Sequence, residues 1–420
     1  MVHTNKPVIL GLKKSFGFGD RLGLAGPGHL AALKESSFRG MLAQQSIREI
    51  SRTRRRADQV VEAAQQAVEE ARYTRPWGAD ADHLKTDLDI LSMVEAGFTY
   101  FTLDPSEAVV QEADTMQEDE LQAEAEKLVR EGVMPKGWEE RYLGEKWDID
   151  QGPPLAFDEE SLLRAAVKYA RATAEAARLH ATVARHCTDR PFEVEVAVDE
   201  TIGATTHREH LFLATELKRR GVSPVAIAPR FVSRFEKGID YVGDIDVFNE
   251  ELERHAALAR KLGPYKISVH SGSEKFSLYP SIARICGDLL HIKTGGTSYL
   301  EALRVVWREE PELFKEIAAY AASHFSEERG SFLVSTTQEE VDALAHSWPA
   351  DAELAYFGER IGRQLLHVTF GSILVLGRRA SGLPFNEAIH EVLAAHTDEY
   401  REALALCLGK HLSLLEPEEA

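Results

Sequence analysis

The sequence predicts an α/β protein of the TIM-type (β/α)8 barrel class, with a helical insertion after the fourth strand and a helical cap at the C-terminal end. Three observations carry that expectation. Short runs rich in Val, Ile, Phe, Tyr and Ala alternate with longer amphipathic helical patterns. Eight such runs can be counted, the number that closes this kind of barrel. Several of them also place their ionisable residues on one strand face only.

In chain order the strand runs are PVILGL (7–12), RGMLAQ (39–44), WGADAD (77–82), FTYFTLD (98–104), FEVEVAVD (192–199), PVAIAP (224–229), YKISVH (265–270) and LLHIKT (289–294). Apolar residues at helical spacing cover 47–72, 158–186, 207–219, 247–261 and 298–322. In TSYLEAL, Ser298 three residues before Glu301 predicts a capping box that opens the last of these. Residues 105–157 are acidic and are expected to form a helical insertion followed by a loop, within a barrel domain spanning 1–325. Residues 326–420 are expected to form a helical cap packed on the barrel, ending in an exposed acidic tail, LEPEEA.

Composition excludes some classes of function. With 68 acidic and 49 basic residues the 420-residue chain carries a formal charge of -19, so it offers no basic footprint for nucleic acid or an anionic membrane. Its cysteines, Cys187, Cys286 and Cys407, are far apart and are expected to be buried thiols in a reducing compartment. The apolar run near the N-terminus is too short for a signal peptide, and nothing reaches the roughly 18 apolar residues of a membrane span. A cytoplasmic protein is expected, and a homo-oligomer is compatible with this reading.

Splitting each strand by alternation is informative. Glu193, Glu195, Ala197 and Asp199 share one face, as do Asp80 and Asp82, Lys266, Ser268 and His270, and His291 and Lys293. An unpaired charge in a low-dielectric interior costs several kcal/mol, so this many inward acids and bases suit a wet or metal-bearing pocket at the C-terminal mouth. In WGADADHLKT, Asp82 then ends strand three aimed at that mouth, and His83 begins the following loop. Taken alone, the same stretch also reads as a hydrogen-bonded cluster capping the next helix.

Histidines follow strands three (His83), seven (His270) and eight (His291), and His367 lies in LLHVTFGS. A divalent ion held by imidazole and carboxylate needs donors from separate strand ends, but no compact motif such as HExxH selects among them. Gly17, Gly19 and Gly23 are spaced one residue too long for a dinucleotide fingerprint. They read instead as a loop whose backbone approaches a polar ligand, with Asp20 and Arg21 beside it, or as a tight turn with a surface Asp/Arg pair. SGSEKF (271–276) and TGGTSY (294–299) follow strands seven and eight, where such barrels place anion sites. With Lys275, Lys293 and His291 nearby, a substrate carboxylate or phosphate is expected there.

The strings SFGFGDRLGLAGPGH, GADADHLK, FTLDPSE, VAVDET, RFEKGIDYVGD, ISVHSGSEKFSLYP, HIKTGGTSYLEALR and LLHVTFGSIL, from about residue 11 to 375, resemble the tagaturonate epimerase family. The resemblance implies a metal-dependent barrel that interconverts D-tagaturonate and D-fructuronate, both keto-hexuronates, by inversion at C4. It implies His83, Glu236 and His270 as ligands of a divalent cation, zinc, manganese, nickel, cobalt or iron, and Asp82 and Glu195 as the acid/base pair. The C4 hydrogen is β to the keto group and gains no enolate stabilisation on removal, so a retro-aldol route is expected. A metal-dependent aldolase or isomerase acting on another keto sugar or sugar acid is the nearest rival, and a non-catalytic sugar-acid binder a more distant one. Two departures stand out: longer relatives carry a further N-terminal segment, and Gly295 and Gly296 fall where a less flexible loop is expected.

Overall fold

A computed structural model describes residues 5–416. Eight parallel strands close into a barrel in sequence order. They are β1 (Ser15–Gly19), β2 (Arg39–Ser46), β3 (Gly78–Leu84), β4 (Tyr100–Leu103), β5 (Glu193–Ala197), β6 (Ala226–Ala228), β7 (Lys266–Val269) and β8 (Leu290–Thr294), with β8 pairing back onto β1. The outward residues Val194, Val196, Ile267, Val269, Leu290 and Ile292 are buried beneath the surrounding helices. Their alternation with polar neighbours decides which face turns inward. Register then aligns the inward set: Thr102 lies opposite Glu195, and His291 opposite both Ser15 and Ser268.

The first strand is not the one expected. PVILGL closes the N-terminal end of the barrel: Leu10 packs with Met41, Tyr100 and Ala226, and the Leu10 and Gly11 amides donate to the Glu193 carboxylate at 3.2 and 2.5 Å. An apolar run can be buried as a plug as readily as in a sheet. SFGFG, expected as a ligand loop, is β1 itself. A Cβ on Gly19 would come within 2.6 Å of the Gly295 carbonyl oxygen, so this glycine serves close strand packing.

Three smaller differences have local causes. The helix expected over 47–72 divides into Ile47–Thr53 and Ala57–Glu70, because Arg54 turns left-handed at φ 54°. The Ser298 capping box does not form: the helix Thr297–Glu309 already includes Ser298, which hydrogen-bonds His29 Nε2 at 2.8 Å, while Glu301 pairs with Arg304 at 3.1 Å. Cys187 and Cys286 are buried, but Cys407 is partly exposed.

Between β4 and β5 run Glu118–Arg130 and the long helix Glu159–His186. After β8 the chain continues through further helices to Thr397–Leu414, which packs on Gly26–Leu33 closely enough that a Cβ on Gly28 would meet Leu404 Cβ at 2.5 Å. In the acidic tail, Glu416 does not hang free: it pairs with Lys14 at 2.6 Å and accepts from Ser36 and Ser37, while residues 417–420 lie outside the described part. No helix among the described residues is long and apolar enough to cross a membrane.

Candidate active site

Polar side chains fill the barrel in layers. Nearest the N-terminal end, Ser15 Oγ contacts His291 Nδ1 at 2.9 Å and accepts from Lys266 Nζ at 3.0 Å, while Tyr100 OH donates to Glu195 Oε2 at 2.6 Å. Above them stands Lys293. Its ammonium lies 2.9 Å from Asp80 Oδ2, 2.8 Å from Asp82 Oδ1 and 3.1 Å from Glu195 Oε1, and donates to Thr102 Oγ1 at 2.6 Å. A buried cation among three carboxylates is held charged, so its pKa is raised although burial opposes this. Burial also works to raise Asp82 and Glu195. Lys293 outweighs it, with His83 and His270 acting on Asp82 and His270 on Glu195, and both carboxylates end well below the usual range.

At the mouth, His83 breaks the strand rule. Alternation would aim it outward, next to inward Asp82. The β3–β4 register slips between Ala81 and Leu84, and His83 adopts φ 55°, a left-handed conformation costing about 1–3 kcal/mol in a non-glycine residue. The bulge turns two consecutive side chains toward one centre. His83 is therefore a strand residue, not the first of a loop. Its Nδ1 lies 2.9 Å from Asp104 Oδ2, leaving Nε2 on the side of Asp82, 3.9 Å from Oδ1. This is the carboxylate–imidazole pairing that orients histidine ligands of metal ions.

His270, directly after β7, places Nε2 2.5 Å from Glu195 Oε1 and Nδ1 3.2 Å from Asp199 Oδ1, and its ring centre is 5.0 Å from that of His83. Donor atoms of Asp82, His83 and His270 all lie within 4.8 Å of one another. Burial opposes protonation of both imidazoles, yet Asp82, Asp104 and Asp199 push His83 up to about 10, and Asp199 and Glu195 push His270 up to about 9. The pocket calls for positive charge at this point. Two imidazoliums can supply it, and so can one divalent cation, whose preferred donors are the same imidazoles and carboxylates. The donor set fits such an ion.

These groups open into a cavity of about 800 Å³, lined by Asp82, His83, His270 and Lys293 and roofed by Phe332, Leu333 and His367. Its size suits a small molecule. Glu195 lies one layer below, covered by His270 and Lys293, and does not line the cavity.

Other expected site residues fall elsewhere. Glu236 is outside the donor group: its carboxylate accepts from the Ser335 amide and Gln364 Nε2, both at 2.9 Å. Lys275 is buried, and its ammonium donates to the carbonyls of Glu236 (3.0 Å), Ile239 (2.5 Å) and Ser273 (3.0 Å), so it ties a loop rather than facing the cavity. Asp20 accepts from the amides of Leu22, Gly23 and Ala25 and builds a turn. Arg21 reaches the cavity wall but pairs with Glu49 at 3.0 Å and lies 3.7 Å over the Phe370 ring. His291 sits beneath Lys293, away from the cavity. Asp104 and Lys237 were missed. Alternation applied to FTYFTLD would have found Asp104, on the same face as Tyr100 and Thr102.

The closed barrel with carboxylates, imidazoles and a buried lysine converging at its C-terminal mouth defines a (β/α)8 enzyme. A family model described as tagaturonate epimerase matches residues 1–415. The chain belongs to the tagaturonate epimerase family, which places it among the epimerases, in the isomerase class. A tagaturonate/fructuronate epimerase of Thermotoga maritima is 40% identical over 412 residues, 98% of this chain and 82% of the relative. The native crystal structure of fructuronate-tagaturonate epimerase from Cohnella laeviribosi is similar at TM-score 0.90 and 37% identity, over 98% of this chain and 83% of that one. The same enzyme complexed with two glycerols gives TM-score 0.91 at 36% identity, over 99% and 84%.

Proposed function

We propose that this chain interconverts D-tagaturonate and D-fructuronate by inversion at C4, through cleavage and re-formation of the C3–C4 bond. The observation that carries the mechanism is the chain of contacts Asp82–Lys293–Glu195, which joins two ionised carboxylates from different strands through one ammonium. The relatives named for this substrate pair support the choice of substrate.

Asp82, which lines the cavity, accepts the C4 hydroxyl proton as the C3–C4 bond breaks. C4 becomes an aldehyde, and the bonding electron pair passes to C3 and into the C2 carbonyl. The aldehyde turns over, C3 adds to its other face, and the new C4 oxygen takes a proton. Glu195 is assigned to this donor side by holding the Lys293 ammonium, which gives the proton and is reprotonated by Asp82. The proton taken from the C4 hydroxyl thus returns to the C4 oxygen by way of Asp82 and Lys293, so the site ends as it began and the reverse reaction uses the same relay.

His83 and His270 would hold a divalent cation, with Asp82 as the carboxylate beside them; family resemblance adds Glu236, which would have to leave the Ser335 amide and Gln364 to join them. Such an ion would supply Lewis acidity for the negative charge that develops on the keto fragment. We assign the helices after residue 325 as a cap, because Phe332, Leu333 and His367 form part of the cavity wall.

Turnover of tagaturonate in deuterium oxide tests the route. Bond cleavage leaves the original hydrogen on C4 of the fructuronate formed, whereas deuterium at C4 would replace it with direct proton exchange. Release of free three-carbon products alone would make the protein an aldolase, and binding without product would make it a sugar-acid binder.

A further inference from the structure

Six lysines and arginines line the cavity: Arg21, Arg48, Lys85, Arg230, Lys237 and Lys293. Four of them have carboxylate partners. Arg21 meets Glu49 at 3.0 Å, Arg48 meets Glu200 at 3.1 Å, Lys85 meets Asp104 at 3.6 Å, and Lys293 holds its three acids. Among the described residues, Arg230 and Lys237 have no carboxylate within 4.0 Å. Lys237 is the one with a fixed address: its ammonium donates to the Ser271 hydroxyl at 2.7 Å, and Ser271 follows His270 directly.

The backbone around Lys237 is clamped from several sides. Its amide donates to the Leu333 carbonyl at 3.2 Å, and its carbonyl accepts from Gln364 Nε2 at 3.3 Å. Buried Lys275 ties the carbonyls of Glu236 and Ile239 on either side, and Arg363 Nε donates to the Gly238 carbonyl at 2.5 Å. Lys237 is half-buried at the cavity wall, and its ammonium has the Ser271 hydroxyl as its hydrogen-bond partner, with Glu200, Glu49 and Asp199 acting on it only from beyond 4.0 Å. A cation so placed gains a charge-assisted hydrogen bond from an incoming anion without first breaking an ion pair.

We propose that Lys237 binds the carboxylate of the sugar-acid substrate and is the residue that makes the enzyme prefer a uronate to the neutral ketose. The inference rests on the proposed function for the identity of the substrate, but carboxylate recognition is read from binding, separately from turnover.

The test is titration calorimetry of D-tagaturonate and of neutral D-tagatose into manganese-loaded wild type, Lys237→Met, Lys237→Arg and Arg230→Met, alongside turnover of both sugars by NMR. The expected result is a loss of about 10- to 100-fold in tagaturonate affinity for Lys237→Met, with tagatose affinity changed less than about 3-fold and partial recovery in Lys237→Arg. Charge-selective binding lost in Lys237→Met but unaccompanied by turnover would sustain this inference while removing the proposed reaction. Equal losses for both sugars would show a structural role and overturn it. Loss of uronate preference in Arg230→Met alone would move the subsite to Arg230, and the absence of any uronate preference in wild type would end the idea.

Discussion

Lys293 Nζ lies 2.8 Å from Asp82 Oδ1, so the carboxylate that faces the cavity is ionised by a cation three strands away round the closed barrel, β8 against β3. The same ammonium satisfies Asp80 and Glu195. Replacing it by Lys293→Met strands three buried carboxylates. Loss of one partner from a buried ion pair costs about 3–5 kcal/mol, so the melting temperature of the variant falls sharply and turnover drops at least about 100-fold. A variant of wild-type stability would show that the acids are paired by something else.

The imidazoles give a pH signature to the metal-free protein. His83 rises to about 10 and His270 to about 9, above the ordinary value near 6.5 that they regain on unfolding. A raised folded pKa contributes stability that is fully present below about 6.5 and is lost as pH climbs through the folded values. Thermal melts of chelator-treated protein between pH 6 and 10 should therefore show falling stability across that range. Added metal should stabilise more at the upper end, because its ligands must be deprotonated.

Metal content separates the roles of the carboxylates. His83→Ala and His270→Ala are expected to lose bound metal, measured by elemental analysis, and Asp104→Asn to bind it about 10- to 100-fold more weakly by releasing the His83 ring. Asp82→Asn keeps its metal and loses turnover if Asp82 is the base. Loss of metal in Asp82→Asn with retention in Glu236→Gln would make Asp82 the third ligand.

Gly296 carries a packing test. A Cβ there runs into the His367 ring, and a Cβ on Gly295 would come within 3.2 Å of Glu49 Oε1. Close approach of the roof, rather than freedom of the loop, explains the glycine pair. Gly296→Ala should cost about 1–3 kcal/mol or displace His367 from the cavity wall, and chemical denaturation measures which.

Much of this site was legible because strand alternation is a strong geometric rule. Glu195, Asp80, Asp82, Lys266, His270, His291 and Lys293 all turn inward as the spacing demands. The rule fails where the backbone departs from it. His83 faces the mouth only through a bulge, a choice made by pairing with β4 and invisible in GADADHLK. Lys275 and Lys237 carry the same charge, yet one is consumed by loop carbonyls and the other reaches the cavity. What divides them is packing against residues 333–364, about a hundred positions away for Lys237, which no local pattern encodes. PVILGL was misread for a simpler reason: an apolar run marks burial, and burial alone does not distinguish a strand from a plug.

The most direct measurement is one-dimensional proton NMR of chelator-stripped protein with D-tagaturonate, before and after addition of manganese or zinc. The account predicts no change without metal and the appearance of D-fructuronate with it, approached equally from the opposite side of the equilibrium. An unchanged spectrum with every divalent ion tried, or full turnover by protein shown by elemental analysis to hold no metal, would contradict it.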